Sequence, residues 1–339
     1  MKHTQLALAI ALVAASGSVA AQSSVTIYGT MDTAIGQGYK DKASINMLSG
    51  YTGTSLIGFR GSEDLGNGLK ANFQLEGEIK SDEGGFTNFA RQSWVGLSGG
   101  FGEVMMGRTT TPQNRLMGTF DLNGTADGSS ALKVIGMAAN GSLINSRQSN
   151  QVQYASPKLG GFQARVAYAF SETGSPVNPA DKKKNFLQVA ANYKLGELTL
   201  GAAVQPKSLS LQADTAVNDR EYRTGYALGA KYNFGVMEAS VLYTRNEKMT
   251  EGEGWGIGVA APIGAWKVGA QFARVTTAKN LDGSKSAKEG SNAYELFANY
   301  KLSKRTALYM AYGSVNKKAE SAFTLENRNT YAVGVTHKF

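Results

Sequence analysis

The chain of 339 residues carries a formal net charge of +9 and contains no cysteine. The lack of cysteine excludes thiol nucleophiles, thiolate metal sites and disulfide bonds, so the fold must be stabilised by noncovalent interactions alone. The composition of 41 Gly, 15 Tyr, 14 Phe and only 6 Pro is typical of many strands joined by tight turns. The positive charge favours anionic solutes or lipid headgroups as partners, and we expect no nucleic acid.

The first 21 residues have the layout of a secretory signal peptide. Lys2 supplies the positive start, residues 6–15 form a short apolar run, and Val19 and Ala21 occupy the −3 and −1 positions of a cleavage site. The run is shorter than the about 20 apolar residues that a membrane-spanning helix requires. We therefore expect a mature protein that begins at Gln22 and forms one domain over residues 22–339.

Alternation of apolar and polar residues is the dominant pattern after the signal region. Ala71, Phe73 and Leu75 alternate with Asn72 and Gln74, which a helix would mix on its faces. The opposite face carries charged and amide side chains, which suits a wet lumen better than the core of a soluble sandwich. Similar runs begin near Val25, Phe162, Leu187, Tyr226, Trp266, Tyr294, Leu308 and Tyr331.

Connections of two lengths alternate along the chain. The seven short ones lie at residues 64–68, 99–102, 158–161, 196–197, 234–235, 263–265 and 303–305. The eight long ones cover residues 40–53, 81–88, 110–146, 171–184, 210–221, 248–253, 279–291 and 317–327. Outer-membrane barrels have this asymmetry, and the count predicts a sixteen-stranded antiparallel transmembrane β-barrel.

One connection, residues 110–146, is far longer than its neighbours. Long loops without strands of their own are usually functional. Sixteen strands leave an aqueous channel, so a loop of this length could fold inward and narrow it. We expect residues 110–146 to form a constriction.

Several segments together resemble the trimeric general porins of beta-proteobacteria, and the resemblance covers the whole chain. The segments are Ser23–Gly29, Ile57–Ala71, Arg91–Leu97 with Gly107-Arg108, Tyr154–Pro157 with Gly160–Phe162, and Val333–Phe339. The resemblance implies a homotrimer in the outer membrane, with the third external loop folded into each pore. It also implies passive diffusion of ions and small hydrophilic solutes, contact with lipopolysaccharide, and assembly by the barrel-assembly machinery.

In such porins an arginine cluster on the barrel wall faces acids on the inward loop. Arg91 and Arg147 lie in sequence contexts that resemble those of the family's wall arginines. Arg60 and Arg147 share the parity of polar neighbours, whereas Arg91 lies opposite in parity to Gln92 and Trp94, and we expect all three arginines to face water. The predicted constriction residues are Arg60, Arg91, Arg108, Arg147, Asp121 and Asp127.

The charge of the long loop predicts the ion preference. Its acids are only Asp121 and Asp127, against Arg115 and Lys133, and Leu56 replaces a basic residue of some family members. This balance weakens the transverse field that the family pattern implies and favours anions.

The last strand ends at an aromatic residue on an apolar face. Its outward set, Tyr331, Val333, Val335, His337 and Phe339, resembles the signal that the barrel-assembly machinery reads. Ordinary lipid-facing alternation gives the same pattern, and both explanations can hold together.

Three other functions remain as alternatives. An outer-membrane enzyme is disfavoured because the only histidines are His3 and His337, so no catalytic residue, metal ligand or cofactor motif is expected. An adhesin or structural barrel would need a closed lumen. A substrate-specific sugar channel would be expected to carry an aromatic ladder, yet most aromatics here take the lipid-facing parity.

Overall fold

A computed structural model describes residues 24–42, 45–135, 146–170, 185–206, 224–246, 251–279 and 284–339. The expected signal peptide, residues 1–21, lies outside these ranges. Six of the eight expected long connections also lie wholly or partly outside these ranges, among them residues 136–145 of the third.

Eighteen antiparallel strands are present within the described residues. They are β1 (Ser24–Gln37), β2 (Asn46–Ser49), β3 (Leu56–Gly66), β4 (Leu69–Lys80), β5 (Gly85–Phe86), β6 (Gln92–Gly99), β7 (Gly102–Thr110), β8 (Arg147–Ala155), β9 (Phe162–Ala169), β10 (Phe186–Leu195), β11 (Leu198–Gln205), β12 (Gly225–Asn233), β13 (Glu238–Asn246), β14 (Glu251–Ile263), β15 (Trp266–Lys279), β16 (Asn292–Lys301), β17 (Thr306–Val315) and β18 (Asn329–Lys338). The short strands β2 and β5 lie in long connections, so sixteen strands build the wall.

The wall closes on itself because β1 pairs with both β3 and β18. Thr26 lies opposite Arg60 in the first pair, and Thr33 lies opposite Val335 in the second. Each other wall strand pairs with its neighbours in the chain. A closed ladder has no edge, so every strand finds backbone partners on both sides. The prediction of a sixteen-stranded barrel is therefore confirmed.

The two faces of the wall differ as the alternation predicts. The outward side chains Val95, Leu97 and Met106 are 55%, 45% and 52% exposed, which suits contact with hydrocarbon. The inward side chains Gln153 and Gln271 are buried. Among the described residues, no helix is both long and apolar enough to cross a bilayer.

The short connections fall where the sequence predicts them. Between β3 and β4, Asn67 and Gly68 have φ angles of 50° and 77°. A two-residue turn with positive φ at both positions matches the right-handed twist of the flanking strands. This turn fixes the register in which Glu76 and Arg60 lie on the same inner face.

Three short helices occur in the described long connections. They are α1 (Pro112–Phe120), α2 (Ala131–Val134) and α3 (Lys317–Ala322). Thr111 caps α1, since its hydroxyl accepts from the Asn114 amide, and Pro112 occupies the first turn, where its missing N–H is no loss. The long third connection therefore has helical structure of its own, which its weak strand pattern did not reveal.

Candidate functional site

Helix α1 packs against small residues on the inward face of β11 and β12. A Cβ atom at Gly201 would lie 2.6 Å from the Leu116 side chain, and one at Gly229 would lie 2.2 Å from the Phe120 ring. Only glycine lets the helix approach this closely. Phe120 is almost wholly buried as a result, and its carbonyl accepts from the Ser240 hydroxyl of β13 over 2.8 Å.

The chain after α1 is held by a buried polar network on β15 and β16. Nε2 of Gln271 donates to Asp121 Oδ1 over 3.1 Å and to Glu295 Oε2 over 2.6 Å. Asn123 Nδ2 and Ser129 Oγ each donate to Glu295 Oε1 over 2.7 Å. Buried polar groups are stable only when paired in this way. We refer to Asp121, Asn123, Ser129, Gln271 and Glu295 as the tether.

Beyond the tether, the segment meets the first long connection. The Gly128 amide donates to the Tyr51 carbonyl over 2.8 Å. Tyr51 stacks on Tyr309 with ring centroids 6.3 Å apart, and the Asp32 carboxylate accepts from the Tyr51 amide and the Tyr309 hydroxyl. Residues 111–135 thus contact inward-facing groups from β11 to β16 and the Tyr51 carbonyl, and Tyr51 in turn contacts Tyr309 of β17 and Asp32 of β1. We call residues 111–135 the crossing segment.

A second polar network lines the inner face of β1, β3 and β4. The Arg60 guanidinium lies 5.2 Å from the centroid of the Tyr28 ring, and the Tyr28 hydroxyl donates to Glu76 Oε2 over 2.9 Å. Nε of Arg91 donates to Glu76 Oε1 over 2.8 Å. Gln74 completes the network by donating to the Tyr28 hydroxyl. The Glu76 carboxylate is therefore paired directly with Arg91 and is linked to Arg60 only through Tyr28.

The crossing segment brings a lysine to this side of the wall. Nζ of Lys133 contacts the Asp127 carboxylate, which also accepts from the Thr54 hydroxyl. Burial lowers the pKa of Lys133 to about 8, and the nearby cations Arg147 and Arg91 lower it further in the same direction. Lys133, Arg147 and Arg91 therefore form one cluster of positive charge.

The predicted constriction residues separate into three groups. Arg60, Arg91 and Arg147 belong to the inner wall, and Asp127 lies beside Lys133. Asp121 is buried in the tether, where it accepts from Ser130, so it anchors the segment instead of lining a passage.

Arg108 is on the other side of the wall. Within β7, Arg108 alternates in step with the outward-facing Met106. Its partner across the ladder, Ser93, alternates in step with the outward-facing Val95 of β6. The two-residue spacing from Val104 and Met106 predicts an outward Arg108. Arg108 was included in the predicted constriction only because of the resemblance to the porin family.

The parity argument for Arg91 was wrong, although the side chain reaches the inner face. Gln92 pairs with Glu76, and Trp94 pairs with Gln74, so both lie on the inner side. Arg91 precedes β6, and the chain bends there to bring its Nε to Glu76. Strand parity does not extend beyond a strand end.

Sequence reasoning missed Glu76, Tyr28 and Glu295 as members of the site. Glu76 was visible as one of several polar residues of β4, but nothing in the sequence pairs it with Arg91. Glu295 lies 172 residues from Asn123, so only the fold brings the two together.

The predicted outward set of the last strand is outward in the structure. Tyr331, Val333, Val335 and Phe339 are 40%, 62%, 41% and 45% exposed, and the His337 ring lies 2.9 Å from the Thr306 hydroxyl. Phe339 is fixed by two backbone hydrogen bonds with Gly29 in β1. The chain end therefore completes the closure of the barrel.

A closed barrel with an apolar outside and a polar inside defines a transmembrane channel of the outer-membrane type. The chain belongs to the Gram-negative porin family, whose model matches residues 7–320. It is 37% identical to "Outer membrane porin protein 32" of Delftia acidovorans, over 99% of this chain and 95% of that protein. It is 31% identical to "Major outer membrane protein P.IB" of Neisseria meningitidis serogroup B, over 97% of this chain and 98% of that protein.

A solved structure agrees with the sequence relatives. The "Anion-selective porin from Comamonas acidovorans" superposes with a TM-score of 0.74 and 32% identity, covering 94% of this chain and all of that one. The family and the barrel assign this chain to the outer membrane as a water-filled channel for passive diffusion, and not as an enzyme.

Proposed function

We propose that the crossing segment lies inside the barrel and narrows the lumen against the wall formed by β1, β3, β4 and β8. The observation that carries this proposal is the path of the segment. Its contacts run along inward-facing residues from Gly201 and Gly229 through Gln271 and Glu295 to Tyr51. A chain that touches so much of the inner wall leaves the remaining passage beside Arg91 and Arg147.

The passage prefers anions. Arg60, Arg91, Arg147 and Lys133 face it, against Glu76, Glu78 and Asp127, and lumen-facing charges tune selectivity in barrels of this kind. Cations that line a confined passage raise the local concentration of anions. The structural relative named as an anion-selective porin supports this assignment.

Several properties of the family complete the proposal. The working unit is a homotrimer in contact with outer-membrane lipid and lipopolysaccharide, and residues 1–21 direct export before their removal. The outward set ending at Phe339 is the signal for the barrel-assembly machinery. The solutes are inorganic ions and small hydrophilic molecules.

The position of the crossing segment is tested by cysteine labelling, because the chain has no native cysteine. Asp127→Cys is refolded, inserted into a planar bilayer and treated with a bulky charged thiol reagent. We expect a stepwise loss of conductance. Val95→Cys, on the outward face, is the matched control and should keep its conductance. Unchanged conductance of labelled Asp127→Cys would contradict the proposal.

A further inference from the structure

Four lysines lie on the inner face of the wall at the end of the barrel that carries the short turns. Lys194 and Lys231 are near the ends of β10 and β12, and Lys301 and Lys338 are the last residues of β16 and β18. We call these four residues the mouth lysines. They belong to four different wall strands, so the positive charge is spread along an arc of the mouth and does not come from one loop.

The ladder register places all four mouth lysines on the inner face. Lys231 lies opposite Ser240, whose hydroxyl donates to the Phe120 carbonyl of the crossing segment. Side chains two residues apart on a strand share one face of the sheet. The other three mouth lysines keep this spacing from buried inward residues of their own strands, namely Lys194 from Gln188, Lys301 from Glu295, and Lys338 from Thr330.

The mouth lysines have neutral neighbours across the ladder. Thr199 lies opposite both Lys194 and Lys231, Ala307 lies opposite Lys301, and Thr30 lies opposite Lys338. Within the part of the chain that the structure describes, none of the four makes an ion pair. Their charge is therefore not neutralised by a direct contact.

The other charged residues on the inner face at this end largely balance one another. A lysine or arginine stands near an acid in each case, and Glu197 is exposed in the short turn between β10 and β11. The balanced sets are Lys70 opposite Asp64, Lys267 paired with Glu238 over 2.7 Å, and Glu103 and Arg165 on either side of Ala155. The excess of positive charge at this mouth therefore comes from the mouth lysines.

The spacing of the mouth lysines lets their electrostatic potentials add. Lys194 and Lys231 are two wall strands apart, and so are Lys301 and Lys338. Two strand spacings amount to roughly 10 Å. The Debye length is about 10 Å at 0.1 M salt and about 30 Å at 0.01 M, so each pair acts on the same volume of solution.

The mouth lysines are separate from the arginines of the inner wall. Phe186 of β10 is level with Gln151 of β8, since both pair with Ala169, and Arg147 lies beyond Gln151 at the start of β8. Lys194 follows Phe186 by 8 residues. At the rise of an extended strand this is on the order of 25 Å along the wall. An ion therefore meets the two groups of cations one after the other.

We propose that the mouth lysines collect small anions at the periplasmic mouth of the barrel and favour multivalent oxyanions over chloride. Outer-membrane barrels have their short turns on the periplasmic side. Charges of one sign around a confined opening raise the local concentration of counter-ions, and the energy of each ion scales with its charge. The role rests on the proposed anion preference, and it deepens it: the mouth lysines set the rate of transfer, whereas the arginine wall sets the permeability ratio.

The test is the single-channel conductance of the refolded full-length protein in KCl at 10 mM and at 1 M. The Debye length falls from about 30 Å to about 3 Å between these concentrations, so only charge effects are lost at 1 M. We expect Lys231→Gln with Lys301→Gln to lower the conductance about threefold at 10 mM, the effect of removing two unit charges roughly 10 Å from the ion in water. The conductance at 1 M should stay unchanged. Lys231→Arg with Lys301→Arg keeps the charge and should keep the low-salt conductance.

Lys158→Gln with Lys304→Gln is the matched control. Both lysines are exposed in short turns at the same end of the barrel, but neither occupies an inward position on a wall strand. The change in net charge is the same in the two double variants, so a general effect of surface charge would lower both conductances equally. Heat-dependent migration in gels confirms that each variant is folded.

Potassium sulfate at the same ionic strength is the second probe. The loss of conductance in Lys231→Gln with Lys301→Gln should be larger in sulfate than in chloride, because the energy of a divalent ion is twice as large. Equal losses in the variant and the control, no loss, the same loss at 10 mM and 1 M, or equal losses in the two salts would overturn the proposal. A reversal potential that still shows chloride preference would confine that failure to the mouth lysines and leave the proposed function intact.

Discussion

The Nε atom of Arg91 donates to the Glu76 carboxylate over 2.8 Å, and Tyr28 donates to the other oxygen of the same group. Arg91 pairs with this carboxylate directly, whereas Arg60 lies over the Tyr28 ring, 5.2 Å from its centroid. The pairing reduces the positive charge that a passing ion experiences. Glu76 consequently sets how strongly the inner wall attracts anions.

Glu76→Gln should strengthen the preference for chloride over potassium. A unit charge at close approach in a water-like medium is worth roughly 1 kcal/mol, which corresponds to about a fivefold change in the permeability ratio. The measurement is the reversal potential in a KCl gradient. Glu197→Gln is the control, since Glu197 is exposed in the short turn between β10 and β11, outside this network. A smaller chloride preference in Glu76→Gln would count against this role.

The anion preference should fall as the pH rises from 7 to 9. Lys133 has a pKa lowered to about 8 by burial and by Arg147 and Arg91, so it loses its charge through this range. Reversal potentials at both pH values report the change, and Lys133→Arg should abolish it. A pH dependence that survives in Lys133→Arg must come from another group.

Loss of the tether should make the open channel noisier. Glu295→Ala removes the acceptor of Asn123, Ser129 and Gln271, and each lost hydrogen bond is worth about 1 kcal/mol. The crossing segment then gains alternative positions, which single-channel recording detects as current fluctuations. Glu63→Ala, near the short turn after β3, is the control. Equal current noise in Glu295→Ala and Glu63→Ala would show that the tether does not influence the open-channel current.

Gly229→Ala should destabilise the barrel by about 1–3 kcal/mol, the usual cost of overpacking. The new Cβ would lie 2.2 Å from the Phe120 ring, so α1 must shift. Thermal unfolding followed by gel migration measures the loss. Adding Phe120→Leu makes room and should recover part of the stability. Additive losses in the double variant would show that the two residues do not compete for this space.

The barrel could be predicted from the sequence because its causes are local. Alternation with period two identifies strands, and turn residues such as Asn67-Gly68 mark their ends. The outward positions of Val95 and Phe339 follow from the same rule. The strand count needed only the alternation of short and long connections.

The site could be predicted only in part because its contacts join distant segments. Arg60 follows from parity within β3, but Arg91 reaches Glu76 through a bend just outside β6. The sequence predicts Asp121 as an acid that faces the lumen, but in the structure it is buried and accepts a hydrogen bond from Gln271. Arg108 has outward parity, whereas the resemblance to a porin motif led to its prediction as a constriction residue.

The central claim is that ions pass through a lumen whose selectivity is set by the arginine wall. Reversal potential of single channels of the refolded protein in a KCl gradient tests it most directly. We predict chloride preference that shifts toward potassium in Arg91→Gln with Arg147→Gln, while the folded barrel stays intact. Absence of conductance steps, or potassium preference in the unmodified protein, would contradict the account.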